Sequence, residues 1–266
     1  IVLSLVFSFA GQSLAASSVD MNVTEDGRVQ VIFEFDDVDE AKWAAEFIAR
    51  MKSKDILSGY PDGTFRPNKP IKRVEAIVTA VRLMGLEEEA KEKADSDEDL
   101  HFKDANHIDN KYPWAKGYVI VALENGLFDA AETHIKPDKP ASRVWAASLL
   151  VRALDLQSEA LDQMTTIPDF KDANSIPAGA IGYVNVAIEN DIVSGYPNNT
   201  FKPNKNVTRA EMAALLDRTN DGLLEQDGAT TVHGVITNVN LADDEITVKT
   251  FQNNTYTYSI SSDLLV

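Results

Sequence analysis

The chain of 266 residues contains no cysteine. That absence excludes disulfides, zinc–thiolate sites and cysteine nucleophiles together, so stability has to come from packing. Histidine is nearly as scarce: His101, His107, His134 and His233 fall in no ligand spacing such as H-E-x-x-H, and no G-x-S-x-G elbow is present. Acidic pairs are abundant but sit in linkers and turns, where a solvated carboxylate is the ordinary reading. Asp95, Asp97 and Asp99 have the spacing of a calcium loop, yet Leu100 stands where its turn glycine belongs and no Glu follows at the twelfth position. The sequence therefore leads us to expect no metal, no cofactor and no enzymatic activity within these residues. Basic residues are also in deficit, with 25 Lys and Arg against 42 Asp and Glu and a formal charge of -17. Such a balance argues against a broad grip on nucleic acid or on an anionic membrane, so an anionic partner would have to be held locally.

Long apolar runs are missing too. The one candidate, IVLSLVFSFAGQSLAASS at the N-terminus, is too short and too broken for a membrane span. Ser13-Leu14-Ala15 gives the small-x-small pattern of signal-peptidase cleavage, so residues 1–15 read as the remnant of an export signal and the start of the precursor is expected to lie before Ile1. A secreted chain with no membrane span in its mature form is expected.

What the sequence does have is repetition. GYPDGTFRPN (59–68) returns as GYPNNTFKPN (195–204), each inside a longer unit that opens on Phe35 or Phe170. A further copy opens on Phe102 and carries one residue fewer in its loop. Ile56, Leu127 and Ile192 precede the loops, Phe65, Ile135 and Phe201 follow them, Pro67, Pro137 and Pro203 close them, and Arg73, Arg143 and Arg209 stand six residues later.

Each unit reads as helix, tight loop, helix. Trp43, Phe47, Ile48 and Met51 recur at helical spacing, as do Trp114, Tyr118, Val119 and Ala122. Gly63 and Asn199 fit turn positions with positive φ. Thr208 and Glu211 form an S/T-x-x-E capping box. Lys72 takes the place of that Thr in the first copy, and Trp145 takes the place of the Glu in the second. Past Asn220, alternating β-branched, aromatic and polar residues predict three strands.

The divisions expected are a lead segment at 16–33, repeats at 34–86, 102–154 and 170–219, acidic or polar linkers at 87–101, 155–169 and 220–228, and a β-strand region at 229–266 that looks like the truncated start of a small antiparallel domain. The fold class is mainly α.

DIVSGYPNNTFKPN (191–204) with VTRAE (207–211), and DILSGYPDGTFRPN (55–68) with IKRVE (71–75), resemble S-layer homology motifs. Those are triplet modules that fasten exported bacterial proteins to the cell wall, and the resemblance covers about residues 34–219. It implies a pseudo-threefold bundle whose intermotif grooves bind secondary cell-wall polysaccharide, often through a pyruvylated sugar. The resemblance further implies a surface-layer or structural envelope protein, with other surface-layer subunits as possible partners. The alternative is the anchor of an exported enzyme, such as a glycoside hydrolase, whose catalytic domain is not in this chain.

The arginines have a physical claim to the same role. A cation in the first helical turn faces the positive end of the macrodipole, at a cost of a few tenths of a kcal/mol. A ligand carboxylate docked at the helix start would offset it. Pairing of Arg73, Arg143 and Arg209 with the Phe-x-Asp carboxylates Asp37, Asp104 and Asp172 would do the same without a ligand.

Sugars also require apolar platforms, for which Trp43, Trp114, Tyr60 and Tyr196 are the candidates, with Gly59 and Gly195 beside the tyrosines and Thr208 and Glu211 at the helix start; core packing is an equal reading of each tryptophan, and the loop tyrosines are the better exposed. The third copy has Gly179 where the first two have tryptophan, and the second lacks the Gly-Tyr pair. On this reading the sites around Arg209 and Arg73 are the stronger, and the one around Arg143 is weak or structural. The net charge adds an expectation that affinity for an anionic wall polymer rises with moderate salt, which screens long-range repulsion.

Overall fold

The computed structural model describes residues 19–23, 29–33, 35–96, 100–128, 132–226, 234–240, 243, 245–250 and 253–259. The expected export-signal remnant, residues 1–15, lies outside them. An antiparallel hairpin, β1 (Val19–Val23) and β2 (Val29–Phe33), pairs Val19 with Phe33 within the stretch read as a plain lead segment. The three repeats follow, then the expected antiparallel meander of β3 (Gly234–Asn240), β4 (Glu245–Thr250) and β5 (Thr255–Ser259). The chain is mainly α, as its patterning predicts.

In the first repeat α1 (Ala45–Ser53) and α2 (Arg73–Leu83) flank the loop, and α3 (Glu87–Glu92) follows. In the second, α4 (Ala105–Lys111) and α5 (Lys116–Glu124) precede the loop, and α6 (Arg143–Ala153) and α7 (Gln157–Asp162) follow it. In the third, α8 (Ile181–Glu189) precedes the loop and α9 (Arg209–Gln226) follows it. Short 3-10 turns lead into the first helix of each copy, at Val38–Ala44, Pro113–Ala115 and Ala178–Ala180. Because α5 is apolar all round, it is sequestered: Tyr118, Val119, Ile120, Val121 and Ala122 are all buried. The second helix of each copy packs on the first helix of the next, α2 on α5, α6 on α8 and α9 on α1.

The connectors are more than solvated tethers. Ala90 of α3 and Ala160 of α7 are fully buried. Their carbonyls press on Gly117 and Gly182 so closely that an added Cβ would sit 1.8 and 1.7 Å away. Small residues on both sides let the backbones touch, a geometry that acidic composition alone does not reveal. The stretch 220–228, read as a linker, is helical as far as Gln226, because Leu223 packs on the core and Gly222 faces Leu154.

At the centre, backbone hydrogen bonds close two rings that run in opposite senses. Ile71 N–H donates to the Val207 carbonyl (3.0 Å), Val207 to Ala141 (2.9 Å) and Ala141 to Ile71 (2.9 Å). Next to them Arg73 N–H donates to Lys139, Arg143 to Lys205 and Arg209 to Lys69, and the N–H groups of Val74, Val144 and Ala210 donate to Pro137, Pro203 and Pro67. Each helix start is therefore satisfied by a neighbouring copy's loop, first on second, second on third, third on first. The first and third copies are also joined by Arg50, whose Nε and Nη2 donate to the two carboxylate oxygens of Asp217 at 2.7 Å each.

Candidate functional site

The Phe-x-Asp carboxylates build the loops. Asp37 accepts the N–H groups of Phe65 and Arg66 at 2.7 Å each, Asp104 those of Ile135 (2.9 Å) and Lys136 (2.7 Å), and Asp172 those of Phe201 and Lys202 at 2.8 Å each. The second residue of every pair lies in the left-handed region, with φ of 57° at Arg66, 57° at Lys136 and 56° at Lys202. That conformation is unfavourable for a residue with a Cβ, and two charge-assisted bonds to one carboxylate hold it. Burial pushes the Asp172 carboxyl up, and backbone N–H groups, those of Phe201 and Lys202 foremost, together with the Lys202 charge outweigh it, leaving the group below its ordinary value. The three carboxylates form no ion pair with the arginines.

Gly63 and Asn199 take the positive φ read from the sequence, at 82° and 56°. Gly59 and Gly195 have a different duty. The rings of Phe35 and Phe170 lie against them, 2.3 and 2.5 Å from where a Cβ would be. Thr208 and Glu211 make the full capping box: Glu211 N–H donates to the Thr208 hydroxyl at 3.2 Å, and Thr208 N–H to the Glu211 carboxylate at 2.9 Å.

The arginines cross between copies. Arg209 is 4% exposed; its Nε donates to the Phe65 carbonyl (2.7 Å) and its Nη2 to that of Ser58 (2.6 Å), with the guanidinium 4.7 Å from the ring centres of both Tyr60 and Phe65. Arg143 donates to the Ser194 carbonyl and lies 5.1 Å from the rings of Tyr196 and Phe201. Arg73 donates to the Ile135 carbonyl at 3.3 Å and lies 4.7 Å from Trp145. Burial pulls all three below the ordinary arginine value. They remain cationic at neutral pH. The Nε atoms of Arg73 and Arg143 are buried with no hydrogen-bond acceptor among the described residues.

Sequence spacing could not show this exchange of arginines, and it changes which site is unusual. The divergent second loop lies beneath Arg73, whereas Arg143 sits on the intact Gly-Tyr loop of the third copy.

Trp43 and Trp114, equivalent in the repeat, are 58% and 52% exposed, although the helices they introduce are largely core. Trp114 stands beside Tyr112, whose hydroxyl accepts from Lys72 of the first copy at 2.9 Å. Trp43 stands beside Phe47, over which the Arg50 guanidinium lies, next to Asp217 of the third copy. Both indoles therefore mark junctions between copies. At the remaining junction Gly179 and Arg73 line one cavity of about 430 Å³, with residues from all three copies in its walls.

Tyr60 and Tyr196 are fixed by polar contacts as well: Tyr60 donates to Glu75 (3.2 Å) and accepts from Lys69 (3.3 Å), and Tyr196 accepts from Lys205 (3.1 Å). Among the groups that spacing did not single out, Asp138 gathers Lys72, Lys111, Tyr112 and His107 from two copies. Hydrogen bonds from Lys111, Tyr112 and Lys72 hold its carboxyl far below the usual range. Among the described residues no cluster of side chains could hold a metal ion, and no helix is long and apolar enough to cross a membrane.

The family model described as S-layer homology domain matches residues 34–77 and 169–213. Among curated proteins the chain is similar to an amylopullulanase of Thermoanaerobacterium thermosulfurigenes, with 27% identity over 84% of this chain and 11% of the relative. It is similar to a surface-layer 125 kDa protein of Lysinibacillus sphaericus, with 28% identity over 66% of this chain and 14% of the relative. A cellulosome-anchoring protein of Acetivibrio thermocellus shares 30% identity over 61% of this chain and 35% of its own length. The chain thus spans between about a tenth and about a third of the length of these relatives.

Proposed function

We propose, for a cell-surface chain that carries S-layer homology motifs in its first and third repeats, that the three-repeat bundle anchors an exported protein non-covalently to the bacterial cell wall. The ligand is secondary cell-wall polysaccharide, held in the grooves between copies, and its acidic unit is a pyruvylated sugar. The bundle is read as pseudo-threefold, and the closed rings of hydrogen bonds at its centre support that reading.

The observation that carries the function is the pair of tryptophans, Trp43 and Trp114. Each is more than half exposed at the same place in the repeat. An indole left in water where its neighbours are buried offers the flat apolar face that a pyranose ring stacks on. Arg209 on Tyr60 and Arg143 on Tyr196 are cations held on aromatic rings where two copies meet, which favours an anionic substituent on the sugar. The N–H groups at the helix starts are already satisfied by neighbouring loops, so the guanidinium edges and the lysines around Tyr60 and Tyr196 carry the anion recognition.

The wall-bound protein itself is read as a surface-layer or structural envelope protein, as the relative from L. sphaericus is named. A second reading, the anchor of an exported polysaccharide-degrading enzyme, is favoured by the alignment with the amylopullulanase, which takes in 84% of this chain.

The test is co-sedimentation with purified sacculi before and after chemical removal of the wall polysaccharide. Parent protein is expected to pellet only with the unstripped wall, and Trp43→Ala with Trp114→Ala to stay in solution. Equal sedimentation with both walls would overturn the glycan reading in favour of peptidoglycan or protein.

A further inference from the structure

The groove between the second and third copies looks damaged in sequence, with no Gly-Tyr pair, Trp145 in place of the capping Glu and Gly179 in place of the rim tryptophan. In the structure these losses answer one another. Trp145 projects from α6 under the Arg73 guanidinium at 4.7 Å, the same shelf that Tyr60 and Tyr196 provide from loops elsewhere. The acid lost at the helix start reappears in the loop as Glu132, whose carboxylate lies 4.0 Å from Arg73 Nη1. Gly179 leaves open space, since an added Cβ would meet nothing within 4 Å. Trp145, Glu132, Arg73 and Gly179 all line the cavity of about 430 Å³.

Charge separates this groove from the other two. Arg143 and Arg209 form no ion pair among the described residues, and their hydrogen bonds go to carbonyl oxygens; the acids that act on them are engaged elsewhere, Glu211 with Lys205, Glu75 with the Tyr60 hydroxyl and Asp37 with its loop N–H groups. Arg73 already has a carboxylate beside it. A ligand carboxylate arriving there would meet Glu132 at close range, in a setting where burial has reduced solvent screening. A neutral sugar meets a guanidinium donor and a carboxylate acceptor side by side, which suits vicinal hydroxyl and acetamido groups, with an indole for its apolar face. Arg152, a second cation on the wall, is committed to the Gly126 carbonyl and the Gln157 side chain, which leaves Lys139 at the rim.

We propose that the groove between the second and third copies is a carbohydrate site of different selectivity. It takes an uncharged sugar unit into the opening at Gly179 and against Trp145, and Glu132 sets its preference against the acidic unit bound in the other two. The proposal rests on the glycan-anchoring reading.

The chain has three tryptophans, Trp43, Trp114 and Trp145, and they mark three different junctions. Their indole N–H resonances, assigned by single Trp→Phe substitutions, therefore report each groove separately. The probes are the methyl glycosides of N-acetylglucosamine and N-acetylmannosamine and their cyclic pyruvate ketals. The expected result is that neutral glycosides shift Trp145 and ketals shift Trp43 and Trp114. Glu132→Gln should raise the ketal affinity at Trp145 by about tenfold, as removal of one repelling charge close to the ligand does. Gly179→Trp, whose Cβ meets nothing within 4 Å, should abolish the Trp145 response and leave the other two intact.

Ketals that shift Trp145 as strongly as the other indoles, or a Trp145 response indifferent to Gly179→Trp, would overturn the selectivity while the anchoring reading stands. So would ketals that bind at Trp43 and Trp114 with no neutral glycoside at Trp145. Silence of all three indoles to every probe would overturn the glycan reading and this proposal with it.

Discussion

Arg209 and Phe65 are 144 residues apart in sequence, and the guanidinium Nε of the first donates to the backbone carbonyl of the second at 2.7 Å. The bond lets the last helix of the repeat array shape the first loop. Arg209→Ala removes it together with the bond to Ser58, leaving two carbonyls that faced a buried cation. A loss of about 2–4 kcal/mol of stability is expected, in line with hydrogen bonds to charged groups. Hydrogen exchange should show protection lost first at residues 58–66, although the substitution is at 209. A stability change confined to α9 would contradict the coupling.

The aspartate clamps give a second expectation. Asn in place of Asp172 keeps one acceptor and points an amide N–H₂ at a backbone N–H. Asp172→Asn should cost about 1–3 kcal/mol. Asp37→Asn and Asp104→Asn should behave alike, because all three make the same pair of bonds. Urea denaturation of the three variants checks it. A neutral outcome at any one would mean that loop folds without its clamp.

Acid should loosen the bundle for a related reason. Bonds from Thr64 and Arg66 hold the Asp62 carboxyl at about 2, and Asp138 and Asp172 are likewise held below their ordinary value. A carboxyl depressed on folding contributes stability above its unfolded pKa of about 4, and that contribution is lost as pH falls through the folded value. Urea midpoints should therefore be flat from pH 7 to pH 5 and fall between about pH 4 and pH 2. Asp138→Asn should flatten that acid limb, and a limb of unchanged slope would remove Asp138 from the account.

Glycines of the first helices separate into two kinds. Gly117→Ala and Gly182→Ala drive a methyl into the carbonyls of Ala90 and Ala160, so a loss above about 3 kcal/mol is expected, as for severe overpacking against backbone. Gly179→Ala meets nothing within 4 Å and should be neutral. Thermal melts of the three variants decide it.

Trp43→Ala and Trp114→Ala separate binding from folding. Each should leave the melting temperature nearly unchanged, since more than half of the side chain is in water. Sacculus binding should fall by about tenfold or more, the loss of one aromatic anchor. A large fall in melting temperature would assign the indoles to packing instead.

The repeats, the helices and the positive φ of Gly63 and Asn199 were legible because each is encoded within a few residues. The partners of Arg73, Arg143 and Arg209 were not, because every helix start crosses to another copy and spacing within one copy carries no record of the exchange. For that reason spacing assigns the divergent loop to Arg143, whereas it lies under Arg73. The packing of α3 and α7 was hidden in a similar way. It depends on single small residues, Ala90 against Gly117 and Ala160 against Gly182, within segments whose composition reads as solvated. Trp145 looked like the loss of a cap, and only three-dimensional placement reveals the ring it supplies.

The closed rings of hydrogen bonds also fix how many copies the bundle can have. An open array tolerates a repeat added or removed, because each unit touches only its neighbours in sequence. Here the third copy completes the first, through Arg209 on the first loop and Asp217 on Arg50. A fourth copy would find no vacant face, and two would leave a helix start and a loop unmatched. Differences between copies are therefore accommodated inside a closed set of three, where Trp145 stands in for a loop tyrosine and Glu132 for a capping acid.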